Sequence, residues 1–323
     1  MMALPLIQFH DLAPREESFE AAVLAGFRGR QKAIPPRFLY DEAGSALFDR
    51  ICRLPEYYPT RTEIGILEAA APEIAARMGS GVQLIELGSG SSHKIRLLLD
   101  LLDHPAGYVP VDISGEHLRR AAEAVARDHP SIPVTAICAD YTDHFDLPPA
   151  LQDGFAKRVA FFPGSTIGNL MPEEAIVLLR NCARLVGRGG DMLIGVDLKK
   201  AKPILDAAYD DAEGVTAAFN LNLLTRINRE LDGDFDLGRF AHLAFYNAAE
   251  SRIEIYIESR ADQLVHIAGQ GFRLAAGERI HTEYSYKYGI EDFQTLARRA
   301  GWTPLDHWVD AERLFSVHYL RRL

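Results

Sequence analysis

The chain has 323 residues, of which 48% are hydrophobic and 25% are charged, so it should fold into a globular protein with a substantial core. Its 35 lysines and arginines against 45 aspartates and glutamates give a net charge of -10, which disfavours a duplex nucleic acid or an anionic membrane as a partner. Three scattered cysteines argue against a disulfide framework and a structural zinc site. We expect no signal peptide, no membrane span and no metal, and we expect a cytoplasmic protein that is a monomer.

The first sixty residues contain helical fragments at 16–28 and 46–52, separated by proline-containing stretches. Such a segment cannot bury itself alone, so it should pack on another module. From residue 82 the pattern changes to short apolar runs that alternate with amphipathic segments, and it continues to the run GDMLIGVDL at 190–198. Five strands that alternate with helices predict an α/β fold with a mostly parallel sheet, covered by helices on both faces.

A second pattern interrupts the first. Residues 200–231 are typical of helices, whereas 239–285 give alternating runs such as RIEIYIES, which predict antiparallel strands. The segments TPLDHWVD and FSVHYLRRL then predict the last two strands of the first sheet. We therefore predict two discontinuous domains. An α+β substrate-binding domain would contain 1–60 plus 199–285, and a Rossmann-like domain would contain 61–198 plus 286–323.

A glycine-rich turn follows the first strand of the Rossmann-like domain. Gly88-Ser89-Gly90 would let the backbone approach a ligand at the carboxyl edge of the sheet. A dinucleotide fingerprint would place a third glycine at position 93, where this chain has His93, so NAD or FAD is disfavoured. An ordinary strand-to-helix turn is the alternative interpretation.

Acidic residues follow the next two strands. Asp112 lies 24 residues after Gly88, near the spacing at which a carboxylate accepts hydrogen bonds from ribose hydroxyls. The third strand ends at Asp140 and Tyr141, which could accept a hydrogen bond from an exocyclic amine and flank a purine ring. Each acid alone could simply cap a helix or lie in a loop. Together with the glycine turn and an antiparallel last strand, they resemble the class I S-adenosylmethionine-dependent methyltransferases, and Glu86 would add acidity near the sulfonium.

Two further groups could bind a substrate. The fourth strand runs into a small-residue loop that contains Gly164 and Asn169, whose backbone and amide donors suit a carboxylate. Glu283 and Ser285 are two residues apart on one face of a predicted strand and could together hold an imidazole. An exposed polar strand face would explain that pair equally well. Core packing would explain the N-terminal aromatic residues, which include Tyr40 and Tyr57.

Several blocks are similar to the histidine Nα-methyltransferase family of ergothioneine biosynthesis. They include FLYD at 38–41, LPEYYPTRTE at 54–63, GSTIGN at 164–169, YDD at 209–211 and INRE at 227–230. The resemblance extends from about residue 30 to residue 290. It implies a class I methyltransferase fold, S-adenosylmethionine as the methyl donor, and L-histidine as a small-molecule substrate that is trimethylated to hercynine, the first step of that pathway.

The resemblance also implies roles for individual residues. The positions that match the family's cofactor-binding residues are Gly88, Lys94, Asp112, Asp140 and Tyr141. Those that match its substrate-binding residues are Asn169 and Tyr209 for the carboxylate, Tyr57, Glu283 and Ser285 for the imidazole, and Gly164 near the amine. Tyr40 would lie near the amine and assist catalysis only indirectly. The alternatives are an N-methyltransferase for another free amino acid, such as tryptophan, a non-catalytic S-adenosylmethionine-binding protein and a dinucleotide oxidoreductase.

Overall fold

The computed structural model describes residues 7–12, 18–89 and 93–323. These residues form two compact units: unit 1 draws them from 1–15, 61–198 and 288–323, and unit 2 draws them from 16–60 and 199–287. Within the described ranges, no helix has both the length and the apolar character needed to cross a membrane.

Regular elements occupy most of both units. The strands are β1 (Gln8–Asp11), β2 (Lys32–Ala33), β3 (Val82–Leu87), β4 (Gly107–Asp112), β5 (Thr135–Cys138), β6 (Lys157–Phe162), β7 (Asp191–Asp197), β8 (Phe240–Asn247), β9 (Arg252–Ser259), β10 (Gln263–Ile267), β11 (Gln270–Leu274), β12 (Arg279–Tyr286), β13 (Thr303–Val309) and β14 (Phe315–Arg321). The α-helices are α1 (Phe19–Arg28), α2 (Glu42–Ile51), α3 (Tyr58–Met78), α4 (His93–Leu99), α5 (Gly115–Asp128), α6 (Pro172–Val186), α7 (Lys202–Tyr209), α8 (Val215–Glu230) and α9 (Ile290–Arg299).

Unit 1 is built on an eight-stranded sheet in the order β1-β5-β4-β3-β6-β7-β14-β13. The neighbouring strands from β1 to β7 pair in parallel, whereas β14 runs antiparallel to both β7 and β13. Every residue of β3 is buried, as expected for a central strand covered on both faces. The sheet confirms the predicted fold class, a mostly parallel sheet with an antiparallel last strand.

The order of the strands locates the functional edge of this sheet. The chain proceeds from β3 to β4 on one side, and β6 lies on the other side of β3. Ligands of open α/β sheets bind at such a switch point, outside the carboxyl ends of the strands. Apolar side chains from four strands, including Leu84, Val159, Leu193 and Val317, form the core beneath that edge.

The first strand departs from the predicted domain boundary, which assigned residues 1–60 to the substrate-binding domain. β1 instead pairs in parallel with β5, and Gln8 N donates to Val134 O at 3.1 Å. The physical reason is that β5 would otherwise leave its backbone groups unpaired at the sheet edge. A four-residue strand carries too short an alternation to be recognised in the sequence.

The described residues of unit 2 form a four-stranded sheet, a hairpin and four α-helices. The sheet has the order β2-β12-β9-β8, and β12, β9 and β8 pair antiparallel, while β10 and β11 form the hairpin. The helices α1, α2, α7 and α8 belong to the same unit. Its core includes Val23, Phe27, Leu223, Ile257 and Ile280. Asp211 caps α8, because its carboxylate accepts hydrogen bonds from the backbone N–H groups of Val215 and Thr216 at 2.9 and 2.7 Å.

Candidate active site

The turn after β3 has the geometry that the glycine motif predicts. Gly88 adopts a φ of +73°, and a Cβ built on it would lie 3.5 Å from the Tyr141 hydroxyl. A side chain at position 88 would be strained by this φ, while its Cβ would make only an ordinary contact with the tyrosine. Ser89 is buried, and its Oγ has no hydrogen-bond partner within the described ranges. Gly90 and the side chain of His93 lie outside the described residues.

The acids predicted to bind the cofactor follow adjacent strands, because β4 pairs with both β3 and β5. Asp112 accepts a hydrogen bond from Ser114 N at 2.9 Å, and burial raises the pKa of its carboxyl group. Asp140 Oδ1 accepts hydrogen bonds from the backbone N–H of Thr142 at 2.9 Å and from its hydroxyl at 2.5 Å. The Tyr141 ring packs edge-on against Phe162 with a centroid separation of 5.7 Å.

Glu86 is buried and does not lie at the exposed edge of the predicted cofactor site. Only 2% of its surface is exposed, and it accepts a hydrogen bond from the Tyr108 hydroxyl. Burial raises the pKa of Glu86 to about 7, although the bond from Tyr108 and the charge of Lys94 oppose that shift. Its carboxyl group is therefore part of the core beneath the sheet edge.

A buried carboxylate, which the sequence analysis missed, holds Lys94. Glu63 of α3 is 1% exposed and accepts a 2.5 Å hydrogen bond from Lys94 Nζ. Its two oxygens also lie 3.0 and 2.9 Å from the backbone nitrogen of Gly164, which donates to them. A Cβ on Gly195 would lie 2.0 Å from Glu63 Oε1, so only glycine leaves room for this carboxylate. The sequence pattern could have indicated that Glu63 is buried, because it shares the helix face of Ile66, Leu67 and Ala70, which are all buried.

The loop after β6 is conformationally constrained. Gly164 has a φ of +82°, and Ser165 follows with a φ of +56°, which is uncommon outside glycine. The Ser165 hydroxyl accepts a 2.9 Å hydrogen bond from Asp197 N, which holds the loop against β7. Asn169 ends the short 3₁₀ helix that follows and is partly buried. Strained loops of this kind are typical of functional sites.

The other predicted substrate residues lie in unit 2, where two of them, Tyr209 and Ser285, contact a lysine. Tyr209 Oη lies 3.0 Å from Ser285 Oγ, and Lys287 Nζ lies 2.7 Å from the tyrosine oxygen and 2.9 Å from the serine oxygen. Lys287 is 1% exposed. The sequence analysis missed it, although Glu283, Ser285 and Lys287 share the two-residue period of a strand face.

Glu283 lies on β12 beside these groups. Glu283 and Ser285 are 8% and 4% exposed, which excludes the alternative of an exposed polar strand face. Burial raises the pKa of Glu283 to about 7, and the positive charge of Lys287 lowers it by a smaller amount. The register of β12 against β9 shifts between His281 and Glu283, after which Glu283 pairs with the buried Ile255. β-bulges are frequent next to active sites because they redirect side chains.

Two tyrosines complete the predicted set. The Tyr57 ring packs edge-on against Tyr209 at a centroid distance of 6.1 Å, and burial, with the nearby phenol of Tyr209, raises the pKa of Tyr57. Its hydroxyl therefore keeps its proton at neutral pH and can donate it in a hydrogen bond. Tyr40 is 43% exposed and contacts the rings of Phe48 and Phe219, each at 5.5 Å.

The predicted residues thus divide between the two units. Unit 1 contains Gly88, Lys94, Asp112, Asp140, Tyr141, Gly164 and Asn169, and unit 2 contains Tyr40, Tyr57, Tyr209, Glu283 and Ser285. The binding roles of these residues, including joint binding of one carboxylate by Asn169 and Tyr209, stay predictions.

The sequence of the chain is similar to those of known methyltransferases. The sequence profile of the histidine-specific, S-adenosylmethionine-dependent methyltransferases matches residues 19–322. The histidine N-alpha-methyltransferase of Mycolicibacterium smegmatis is 40% identical over 321 residues, which cover 98% of each chain. Its counterpart from Mycobacterium tuberculosis is 39% identical over 91% of this chain and 92% of its own. Ergothioneine biosynthesis protein 1 of Neurospora crassa is 30% identical over 95% of this chain and 35% of its own length.

Proposed function

The chain belongs to the histidine-specific, S-adenosylmethionine-dependent methyltransferases, and from this membership we propose that it methylates the α-amine of free L-histidine. Three successive transfers would give the betaine hercynine, which is the first step of ergothioneine biosynthesis. The observation that carries the choice of histidine is the buried pair Glu283 and Ser285, because a carboxylate and a hydroxyl can bind both nitrogens of an imidazole.

The residues of unit 1 fit S-adenosylmethionine. The buried Ser89 Oγ is unpartnered within the described ranges, and the φ of +73° at Gly88 lets the backbone approach a ligand. In this proposal Asp112 binds the ribose hydroxyls, and Asp140 and Tyr141 bind the adenine. Lys94, which lies near the loop at Gly164, also binds the cofactor. When bound, the cofactor supplies an electrophilic methyl group on a sulfonium.

The contribution of the protein to the reaction is mainly positioning. Asn169 and Tyr209 would hold the substrate carboxylate, while Tyr57, Glu283 and Ser285 would hold its ring. Holding two reactants at attack distance can lower a barrier by about 7 to 11 kcal/mol. An α-amine with a pKa of about 8 has a usable neutral fraction at cellular pH, so no strong general base is required.

The mono- and dimethylated intermediates limit how the amine can be bound. Each methylation removes one N–H group, so a pocket that held the amine through all its hydrogens would reject its own intermediates. The carboxylate and the ring are present in every intermediate and would provide the constant anchors. Tyr40 would therefore act on the amine only indirectly.

The experiment that tests this proposal is methylation of an amino-acid panel, followed by mass spectrometry. The purified protein is incubated with S-adenosylmethionine and, separately, with histidine, tryptophan, phenylalanine and glutamine. We expect methylated product with histidine alone. Preferential methylation of tryptophan would support the alternative N-methyltransferase, and cofactor binding without turnover on any amino acid would indicate a non-catalytic binding protein.

A further inference from the structure

Lys287 is a buried lysine at the end of β12. It follows β12 directly and is 1% exposed, and its backbone N–H donates to Ser251 O at 2.8 Å, which fixes the chain at this point. Its ammonium group donates to the oxygens of Tyr209 and Ser285 at 2.7 and 2.9 Å. Burying a lysine is costly unless its charge is balanced and hydrogen-bonded.

The three polar atoms determine the direction of hydrogen bonding in this part of unit 2. An ammonium group can only donate, so Tyr209 Oη and Ser285 Oγ both act as acceptors toward Lys287. The 3.0 Å contact between these two oxygens uses one of the two hydroxyl hydrogens. The other hydroxyl hydrogen must therefore point away from these three atoms. Lys287 thereby determines the direction in which the two hydroxyls can donate a hydrogen bond to a ligand.

The charge of Lys287 acts on the neighbouring carboxyl group as well. Two titratable groups of unit 2, Lys287 and Tyr57, interact electrostatically with Glu283. Across the sheet, β9 presents the apolar Ile255 to Glu283. Tyr209 of α7 contributes a phenol, which is neutral at neutral pH and cannot balance the charge of a carboxylate. Lys287 is the cation of this set, so it favours the ionised form of Glu283.

We propose that Lys287 is a positioning residue for the substrate: its ammonium group orients the Tyr209 and Ser285 hydroxyls, and its charge balances the Glu283 carboxylate. This inference rests on the proposed function, since those three side chains are the predicted histidine-binding groups. Lys287 touches the substrate-binding side chains and need not touch the substrate.

Lys287→Met tests the proposal, because methionine keeps the apolar length of the side chain and removes the charge and both hydrogen bonds. We expect kcat/KM for histidine to fall by about 10- to 100-fold, the range for charged hydrogen bonds, with unchanged affinity for S-adenosylmethionine. The acid limb of the pH profile should move to higher pH, because Glu283 loses its balancing charge. The matched control is Lys202→Met, which alters a lysine of the same unit that is 53% exposed, and it should match the wild type.

A double-mutant cycle separates positioning from a general packing effect. Because Lys287 is proposed to act through Ser285, Lys287→Met and Ser285→Ala should be non-additive, with a combined loss well below the product of the single losses. Additive losses, or a kcat/KM within about twofold of wild type for Lys287→Met, would overturn the proposal. If Lys287→Met does not fold, Lys287→Gln decides, because glutamine keeps a hydrogen-bond donor but removes the charge: a loss of about 10-fold in kcat/KM at normal cofactor affinity supports positioning, and wild-type kinetics overturn it.

The wild-type protein distinguishes the two proposals. If wild type does not methylate histidine, the proposed function is wrong, and the inference about Lys287 falls with it. If wild type methylates histidine and Lys287→Met does so equally well, only the inference about Lys287 is wrong.

Discussion

At the scale of single residues, the buried carboxyl groups of Glu283 and Glu63 have different surroundings. Both carboxyl groups are buried, yet Glu63 is bound to Lys94 and to a backbone N–H, while Glu283 carries a pKa raised to about 7. A carboxyl group with such a pKa can accept or donate a hydrogen bond near neutral pH, as required for an imidazole that itself titrates at about 6.5. Glu63 has its oxygens occupied and serves to hold Lys94 and the loop at Gly164.

Glu283→Gln should impair histidine use selectively. Glutamine keeps the size of the side chain but cannot carry the charge, so we expect kcat/KM for histidine to fall by about 10- to 100-fold. Affinity for S-adenosylmethionine, measured by isothermal titration calorimetry, should stay at the wild-type value. Glu258→Gln is the control, because Glu258 belongs to the same sheet and forms a partly exposed ion pair with Arg279. Equal loss of affinity for both ligands would contradict the assigned role of Glu283.

Glu63→Gln should impair the binding of S-adenosylmethionine and not the binding of histidine. Removing the negative charge leaves Lys94 without its 2.5 Å ion pair, and Lys94 is a predicted cofactor-binding residue. We expect the affinity for S-adenosylmethionine to fall by about 10-fold, as measured by calorimetry in the absence of histidine. The exposed Glu68 on the same helix provides the control Glu68→Gln. A Glu63→Gln protein with normal cofactor affinity would show that Lys94 does not need this partner.

At the scale of secondary-structure elements, the antiparallel strand β14 contains a buried histidine. His318 is fully buried, its Nε2 lies 3.0 Å from Ser316 Oγ, and its Nδ1 lacks a hydrogen-bond partner in the described chain. Burial lowers the pKa of His318 to about 3, with a smaller contribution from His307. The folded protein therefore keeps this ring neutral, whereas the unfolded chain would protonate it below a pH of about 6.5.

His318 makes the folded protein less stable as the pH falls. The stability that His318 contributes is complete above pH 6.5 and is lost as the pH falls toward 3, because only the unfolded state binds the proton. At pH 5 the loss is about 2 kcal/mol. We expect His318→Gln to reduce the drop in Tm between pH 7 and pH 5, as measured by differential scanning fluorimetry. His104→Gln, at a highly exposed histidine, should keep the wild-type drop, and an equal drop in all three proteins would contradict the prediction.

The elements also show how far the sequence can be interpreted. The buried strands β3, β4, β6 and β7 are continuous apolar runs, so the sheet and the acids at its edge could be predicted. Glu283 and Ser285 could be paired from the strand period alone. Lys287 continues the same period but was missed, because a lysine beyond the last strand residue is expected to be solvated. Glu63 was missed because its partners, Lys94 and Gly164, are 31 and 101 residues away in the chain.

At the scale of the whole molecule, the discontinuous chain gives each unit its own group of polar residues. Most of the predicted cofactor residues lie at the carboxyl ends of strands of the parallel sheet, where an α/β fold offers backbone donors and acids. Glu283, Ser285 and Tyr209 belong to the other unit, whose antiparallel strands place alternate side chains on one face. We therefore expect substitutions at the predicted cofactor residues of unit 1 to impair cofactor binding, and substitutions at Glu283, Ser285 and Tyr209 to impair histidine binding.

The measurement that tests histidine Nα-methylation most directly is tandem mass spectrometry of the product formed from L-histidine and S-adenosylmethionine. We predict a final product that carries three methyl groups, all on the α-nitrogen, with the imidazole unmodified. Fragmentation distinguishes these positions, because loss of trimethylamine requires all three groups on the α-nitrogen. Methyl groups on the ring, or no methylated histidine while S-adenosylmethionine is still bound, would contradict the proposed function.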